Sequence, residues 1–296
     1  MLLVTGAAGF LGTSVLRAAA VDGREVVATV RSGVPSVATA GLVNADLTDR
    51  ARVREMIASV RPTWVLNCAA LANLEECESD PSKARAANVT APANLAAACN
   101  EFGARLAHIS TDSVFDGTRG HYSEDDVPSP LNVYARSKLD GERAVREAMP
   151  GALVVRTNFI GLPVNRGGGL GDWIASSIEA GSPIKGFDDV IFSPLLATTL
   201  AHLLFDMMDA SLMGLFHLGA NDCMSKYEFA IAIARELGTL EARIERASLS
   251  DQPMAVRRPL DTSLSSKRAE NALARQMPTV LEAVRGFISE RSETTA

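Results

Sequence analysis

The sequence predicts an α/β protein, a doubly wound parallel sheet with helices on both faces and a small C-terminal lobe. Three observations predict it. Short apolar, β-branched runs alternate with helix-period segments over the first 160 residues, the pattern of a parallel sheet buried on both sides. The first run, "LLVT", ends in a glycine-rich turn that opens a helix. After Gly161 the alternation gives way to glycine-rich, polar and proline-broken stretches. Residues 1–160 are therefore read as the sheet domain and 161–296 as mainly the lobe, with a stretch at about 190–220 returning to the sheet core. The length of 296 residues and the 47% hydrophobic content suit two units of roughly 150 residues, or one large fold with an appended lobe.

The elements follow in order. "LLVTG" reads as a strand and "TSVLRAAAVDG" as a helix, then "EVVATV" and "GLVNADLT" as strands, the latter reaching Asp46. "DRARVREMIASV" is a helix, "TWVLNCAA" a buried strand, and "PSKARAANVTAPANLAAACNEFG" one long Ala-rich helix. "RLAHIST" is a strand, followed by a helix around Tyr134 and the strand "GALVVRTNFIG". In the second half "LPVNRGGGLGD" reads as a loop, "WIASSIEAGSPI" and "SPLLATTLAHLLFDMMDA" as helices, and "GLFHLGA" as a strand. "SKYEFAIAIARELG" is an amphipathic helix whose Ser225 and Glu228 have capping-box spacing. The polar stretch "SLSDQPMAVRRPLDTSLSSKRAE" is placed over the site, and the last residues, "SERSETTA", are expected to fray.

Composition excludes some functions. A net charge of −6 and a pI near 5.4 argue against a nucleic-acid partner. No apolar run reaches membrane-spanning length, and "MLLVTGAAGF" lacks the pattern of a signal peptide. Cys68, Cys77, Cys99 and Cys223 show no metal-ligand spacing and suit a reducing compartment. No metal is expected, and a cytoplasmic protein is; a homodimer is left open.

The glycine turn carries the first chemistry. Gly6, Gly9 and Gly12 in "TGAAGFLG" follow a strand and open a helix. That arrangement brings backbone N–H groups and a helix N-terminus to a pyrophosphate. The spacing is G-x-x-G-x-x-G, not the commoner G-x-G-x-x-G. The second strand ends at Arg31, nineteen residues past Gly12. A cation there suits the 2′-phosphate of NADP(H), with NAD(H) tolerated; it equally describes a solvated strand-end charge. Gly6, Arg31, Asp46, Asn67 to Ala70, and Ser110 to Asp112 all fall at carboxyl ends of predicted strands, where sites of open α/β sheets gather. In "PLNVYARSKLDGE", Tyr134 and Lys138 stand four apart, on one face of a helix. A protonated lysine there would lower the phenol's pKa from about 10 and make it a proton-transfer group. The pair alone equally describes a half-exposed aromatic beside a solvated charge.

Together "TGAAGFLG", "STDSVFDG" and "YARSK" resemble the extended short-chain dehydrogenase/reductase family, a Rossmann-type fold. Within it the likeness is to the dTDP-4-dehydrorhamnose reductases, with similar motifs at "NCAA", "ECESDP", "PLNVY" and "RT", from Leu2 to about Lys267. The resemblance implies reduction of the C4 ketone of a nucleotide-linked 4-keto-6-deoxy sugar by NADPH. Tyr134 would protonate the ketone oxygen, Lys138 would bind the nicotinamide ribose and depress the Tyr134 pKa, and Thr111 would donate to the same oxygen. Ser110 competes with Thr111 for that role, Asp112 either touches substrate or caps the next turn, and Asn88 is either site-facing or an interior hydrogen bonder.

For the cofactor, the resemblance places Gly6, Gly9, Phe10, Leu11 and Gly12 at the pyrophosphate turn. It places Asp46 and Leu47 at the adenine, and Ala69, Ala70 and Leu71 beneath the nicotinamide half. For the substrate it implies Thr111, Asp112, Ser113, Asn158 and Phe159, with Arg257 and Arg258 as cations for a diphosphate. Two motifs depart from the family pattern: Ser113 stands where a tyrosine is usual, and Asn158 and Phe159 where a serine and a tryptophan are. Two alternatives share the branch. One is a nucleotide-sugar epimerase or dehydratase, although the dehydratase's acidic pair after the Ser/Thr is incomplete here. The other is a non-catalytic subunit like that regulating methionine adenosyltransferase.

Overall fold

A computed structural model of the chain describes residues 1–162, 169–239, 243–252 and 254–295. The central sheet opens with β1 (Leu2–Thr5), β2 (Val26–Val30), β3 (Gly41–Asn44), β4 (Trp64–Asn67), β5 (Arg105–Thr111) and β6 (Leu153–Thr157). Four short strands follow, β7 (Phe159–Ile160), β8 (Ile184–Phe187), β9 (Ile191–Phe192) and β10 (Leu195–Leu196). Then β11 (Gly214–Leu218) lies in the sheet beside β6. The seven sheet strands run in the order β11-β6-β5-β4-β1-β2-β3, every pairing parallel. The order reverses between β1 and β4, which opens a crevice at their carboxyl ends. This is the Rossmann-type sheet expected from the sequence.

The helices explain why both faces are covered. α1 (Phe10–Val21), α2 (Arg50–Val60), α3 (Leu74–Ser79), α4 (Pro81–Arg85), α5 (Ala91–Phe102) and α6 (Val133–Ala148) belong to the first half. α7 (Leu170–Glu179), α8 (Ala197–Asp209), α9 (Lys226–Glu236), α10 (Lys267–Leu273) and α11 (Val280–Thr295) belong to the second. Successive β1 side chains point to opposite faces. Leu2 and Val4 pack in one core with Val15 of α1 and Leu204 of α8, and Leu3 in another with Ile57 of α2, Leu95 of α5 and Val145 of α6. The second half adds paired strands: β12 (Met224–Ser225) against β9, and β13 (Ile244–Ala247) against β8.

Several elements differ from expectation. The long Ala-rich helix is interrupted by a π-helical turn over Ala86–Thr90 between α4 and α5. The sixth strand breaks at Asn158, so that Phe159–Ile160 pairs with β10 outside the main sheet. β3 stops at Asn44, leaving Asp46 in the loop beyond. The last helix continues to Thr295 where fraying was expected. Most of the glycine-rich stretch read as a loop, residues 163–168, lies outside the described residues.

The π turn has a physical partner. A Cβ on Gly141 of α6 would stand 2.0 Å from the Asn88 carbonyl oxygen in that turn, so only glycine lets α6 lie this close. Gly141→Ala is expected to cost about 1–3 kcal/mol, the usual range for overpacking, and to shift the urea midpoint downward. An unchanged midpoint would mean the helices part without cost.

Candidate active site

The first cleft lies in the crevice between β1 and β4 and holds about 550 Å³. Gly6, Gly9, Arg31, Asp46, Leu47, Ala69, Ala70 and Leu71 line it, so eight of the sequence-predicted cofactor residues meet there. Gly6 has φ +65°, and a Cβ on it would stand 2.7 Å from Ala69 N. The turn therefore passes directly over the end of β4, which only glycine permits. Gly12 serves packing instead: a Cβ there would stand 2.2 Å from the Gly6 carbonyl oxygen. Leu11 is buried in the core, and Phe10 turns away to meet Phe159 edge-on, ring centroids 5.3 Å apart. These three build the turn from behind and do not line the cleft.

The far end of the cleft is equally ordered. Asp46 accepts hydrogen bonds from Thr48 N at 2.9 Å and Thr48 Oγ1 at 2.8 Å, and these hold its carboxyl below the ordinary range. Asn94 of α5 donates to the Leu47 and Thr48 carbonyls at 3.0 and 3.1 Å, fixing that loop. Beneath the middle, Thr5 Oγ1 donates to Asn67 Oδ1 at 2.6 Å, as does Ala69 N at 3.1 Å. Asn67 Nδ2 in turn meets His108 Nδ1 at 2.9 Å. This buried stitch joins the ends of β1, β4 and β5. Asn88 settles as an interior hydrogen bonder: its amide accepts from Leu71 N and donates to Leu71 O and Ser137 Oγ, each at 2.9 Å. It thereby ties the Ala69–Leu71 segment to α6. The cradle of close-approach glycines, backbone N–H groups and exposed Arg31 fits a nicotinamide dinucleotide.

α6 carries the proton-transfer candidates. Asn132 caps it through the Ala135 N–H, and Tyr134, Lys138 and Glu142 follow along one face. Lys138 is buried and donates to the Ile109 carbonyl at 2.7 Å. Burial pulls its ammonium down to about 8, against the opposing pull of Glu142 and Cys68. The Thr111 hydroxyl lies between Asp112 Oδ1, at 3.1 Å, and the Tyr134 phenol, with which it hydrogen-bonds. The Tyr134 phenol is raised to about 12, not lowered: burial outweighs the Thr111 hydrogen bond, and Asp112 and Cys77 raise it further. Lys138, expected to lower it, is not among the groups that act on the phenol; the loss of water decides the direction. Ser110 points the other way, donating to Glu142 Oε1 at 2.5 Å, which leaves Thr111 as the hydroxyl beside Tyr134.

A second cleft of about 540 Å³ lies between the sheet ends and the lobe. Asp112, Ser113, Asn158 and Arg258 line it. Asp112 is the centre of that wall: Oδ2 accepts from Asn158 Nδ2 and Thr262 Oγ1, each at 2.7 Å, and Oδ1 from Thr111 and Ser113 hydroxyls, each at 3.1 Å. Both readings of Asp112 thus hold in part, since it lines the cleft and organises the turn. Thr111, Phe159 and Arg257 do not line this cleft. Arg257 is exposed, and its carbonyl accepts from Asn132 Nδ2 at 2.9 Å. The polar segment after Ser248 does reach the site, through Leu249, Met254, Arg258, Pro259 and Thr262.

Sequence reasoning missed Thr262 and Lys226. Lys226 lines the cleft with its ammonium 2.9 Å from the centroid of the Phe192 ring. One signal was present: a lysine at the first position of a helix sits at the positive end of the macrodipole, an unfavourable place that a ligand can justify. Thr262 gave no signal, because its partner is 150 positions away. Among the described residues no group of His, Cys, Asp or Glu is arranged to hold a metal, and no helix is long and apolar enough to cross a membrane.

Comparison with known proteins agrees with this geometry. The family model described as "RmlD substrate binding domain" matches residues 1–292. A probable low-salt glycan biosynthesis reductase, Agl14, of Haloferax volcanii is 36% identical over 94% of this chain and 93% of its own length. The dTDP-4-dehydrorhamnose reductase of Mycobacterium tuberculosis is 36% identical over 90% of this chain and 85% of its own. Methionine adenosyltransferase 2 subunit beta of Rattus norvegicus is 32% identical over 91% and 81%. Among solved structures, a dTDP-4-dehydrorhamnose reductase from Bacillus anthracis in complex with NADP superposes with a TM-score of 0.85, at 25% identity and 98% coverage of both chains.

The buried lysine yields a stability prediction. A free lysine titrates near ~10.4, whereas folded Lys138 titrates at about 8. Between these values the unfolded chain binds the extra proton, so this group makes stability rise with pH. For the cofactor-free protein, the gain in unfolding free energy from pH 8 to 10 is expected to shrink in Lys138→Met. Parallel slopes for the two proteins in urea titrations across that window would contradict the assignment.

Proposed function

Because the chain belongs to the RmlD substrate-binding-domain family of extended short-chain dehydrogenase/reductases, we propose that it reduces the C4 ketone of a nucleotide-linked 4-keto-6-deoxy sugar, with NADPH preferred over NADH. The observation that carries this reading is the hydrogen bond of Thr111 to Asp112 of the second cleft and to Tyr134, with Lys138 one turn on along the same helix. Lys138 acts electrostatically on Cys68, which lines the first cleft. Asp112, which lines the second, acts on Tyr134.

The chemistry asked of each residue fits its surroundings. A bound NADPH supplies the hydride. Tyr134, its phenol held protonated by burial, donates its proton to the ketone oxygen as charge develops there. Thr111, whose oxygen accepts from the Ser113 N–H at 3.2 Å, turns its single O–H from Asp112 to that oxygen when the ketone is bound. Lys138, whose charge acts on Cys68 at the wall of the first cleft, is placed for the ribose hydroxyls of the nicotinamide half. Arg31, exposed at the end of β2 and lining the first cleft, is placed for a 2′-phosphate. Ser113 follows Asp112 where the dehydratases carry the second member of an acidic pair, which speaks against a dehydratase.

With NADPH present, oxidation at 340 nm is expected only when a 4-keto nucleotide sugar is added. Tyr134→Phe should lower kcat by about 10²–10⁴-fold, the usual worth of a positioned general acid. A panel of such sugars with no turnover would sink the reading, and sugar rearrangement without net oxidation would favour an epimerase. Arg31→Ala should raise the KM for NADPH and leave that for NADH nearly unchanged; an equal change in both would remove Arg31 from cofactor selection.

A further inference from the structure

The second cleft holds a cation that has no ion pair among the described residues. Among the described residues, the Lys226 ammonium makes no ion pair and no hydrogen bond; its one close contact is the Phe192 ring. Asp112 is near enough to act on it electrostatically. An ionised carboxylate offers about four acceptor sites, however, and Thr111, Ser113, Asn158 and Thr262 already donate to Asp112. The nearest carboxylate thus supplies a field but no free lone pair. Arg258 lines the same cleft and repels the Lys226 charge. Its ion pair, with Glu75 at 3.0 Å, is exposed on both sides, so it binds weakly. Burial and Arg258 together draw Lys226 down to about 7, with Asp112 opposing. The α9 N-terminus adds positive potential at the same place.

One cation with no ion pair among the described residues and a second whose carboxylate partner is exposed, in a protein of net charge −6, mark a local seat for an anion. The rest of the cleft narrows its identity. Trp173 and Met254 leave 46% and 40% of their surface open at the wall, beside buried Ile184 and Phe192. Such surface covers a flat, partly apolar group such as a nucleobase. We propose that Lys226, together with Arg258, holds the diphosphate of a nucleoside diphosphate in this cleft. The assignment rests on the function proposed above and adds Lys226 to it as a substrate-binding residue.

Calorimetric titration tests it. dTDP and UDP are compared with thymidine and uridine, on the wild-type chain and on Lys226→Met. At least one diphosphate should bind wild type at least about tenfold more tightly than its nucleoside, as charge-assisted hydrogen bonds require. Lys226→Met should lose most of that difference and bind NADPH as wild type does. Nucleosides binding wild type as tightly as the diphosphates would overturn the proposal, as would unaltered diphosphate affinity in Lys226→Met. If the variant fails to bind NADPH and is therefore misfolded, the wild-type comparison decides alone. Lys226-dependent diphosphate binding without turnover of any 4-keto sugar would sink the reductase reading and leave this one standing. Turnover with an unchanged sugar KM in Lys226→Met would do the reverse.

Discussion

Glu142 is buried on α6, and Arg156 of β6 grips its carboxylate with two nitrogens, at 2.9 and 2.7 Å. Ser110 of β5 donates to the same group. Breaking such a buried pair costs several kcal/mol, because the surviving charge is left without water or partner. The pair therefore locks one helix to two adjacent strands at a single register. Tyr134 and Lys138 lie two turns and one turn earlier on the same face, so their positions over the strand ends are inherited from that lock. Gly141 and the π turn around Asn88 then let α6 settle close enough for Ser137 to meet Asn88. The cofactor loop is held by that contact in turn, since Asn88 fastens both backbone groups of Leu71.

A second constraint joins the halves of the chain. Asp112 takes donors from its own turn, from Asn158 beyond β6 and from Thr262 of the C-terminal segment. A carboxylate this deeply placed is stable only because each acceptor site is used. The result is a wall on which Thr111 cannot easily shift toward or away from Tyr134. The C-terminal segment thus contributes to the geometry around Thr111 and Tyr134 as well as to the apolar sides of the second cleft.

What was legible in the sequence was local. Glycine turns, strand periodicity and the Tyr134–Lys138 spacing each declare themselves within a few residues. The Ser225–Glu228 capping box was legible for the same reason. That very signal hid Lys226, which read as one more charge on an amphipathic helix until tertiary packing set it in the cleft. Thr262 and Asn158 meet Asp112 across 150 and 46 positions, and no spacing rule spans such distances. The Tyr134 phenol was misjudged because spacing reports a neighbouring charge, whereas its pKa is governed by how much water the fold removes.

The three departures from the family motif do different work once placed. Ser113 and Asn158 line the second cleft, and both put a donor on Asp112. Phe159 turns away from that cleft to meet Phe10, at the start of α1 behind the glycine turn. It is therefore a packing residue that ties the lobe side of β6 to the cofactor turn. The cleft wall beside Asp112 is consequently built from small polar groups where the family pattern has a tyrosine. A ring there would offer apolar surface and a single hydroxyl, whereas Ser113 and Asn158 present short hydrogen-bonding groups already oriented by the carboxylate. Discrimination by such oriented groups is steep, because a ligand that fails to match them leaves buried polar atoms unpaired. Under the function proposed above, the wall beside Asp112 would choose among substrates by hydrogen bonding more than by stacking.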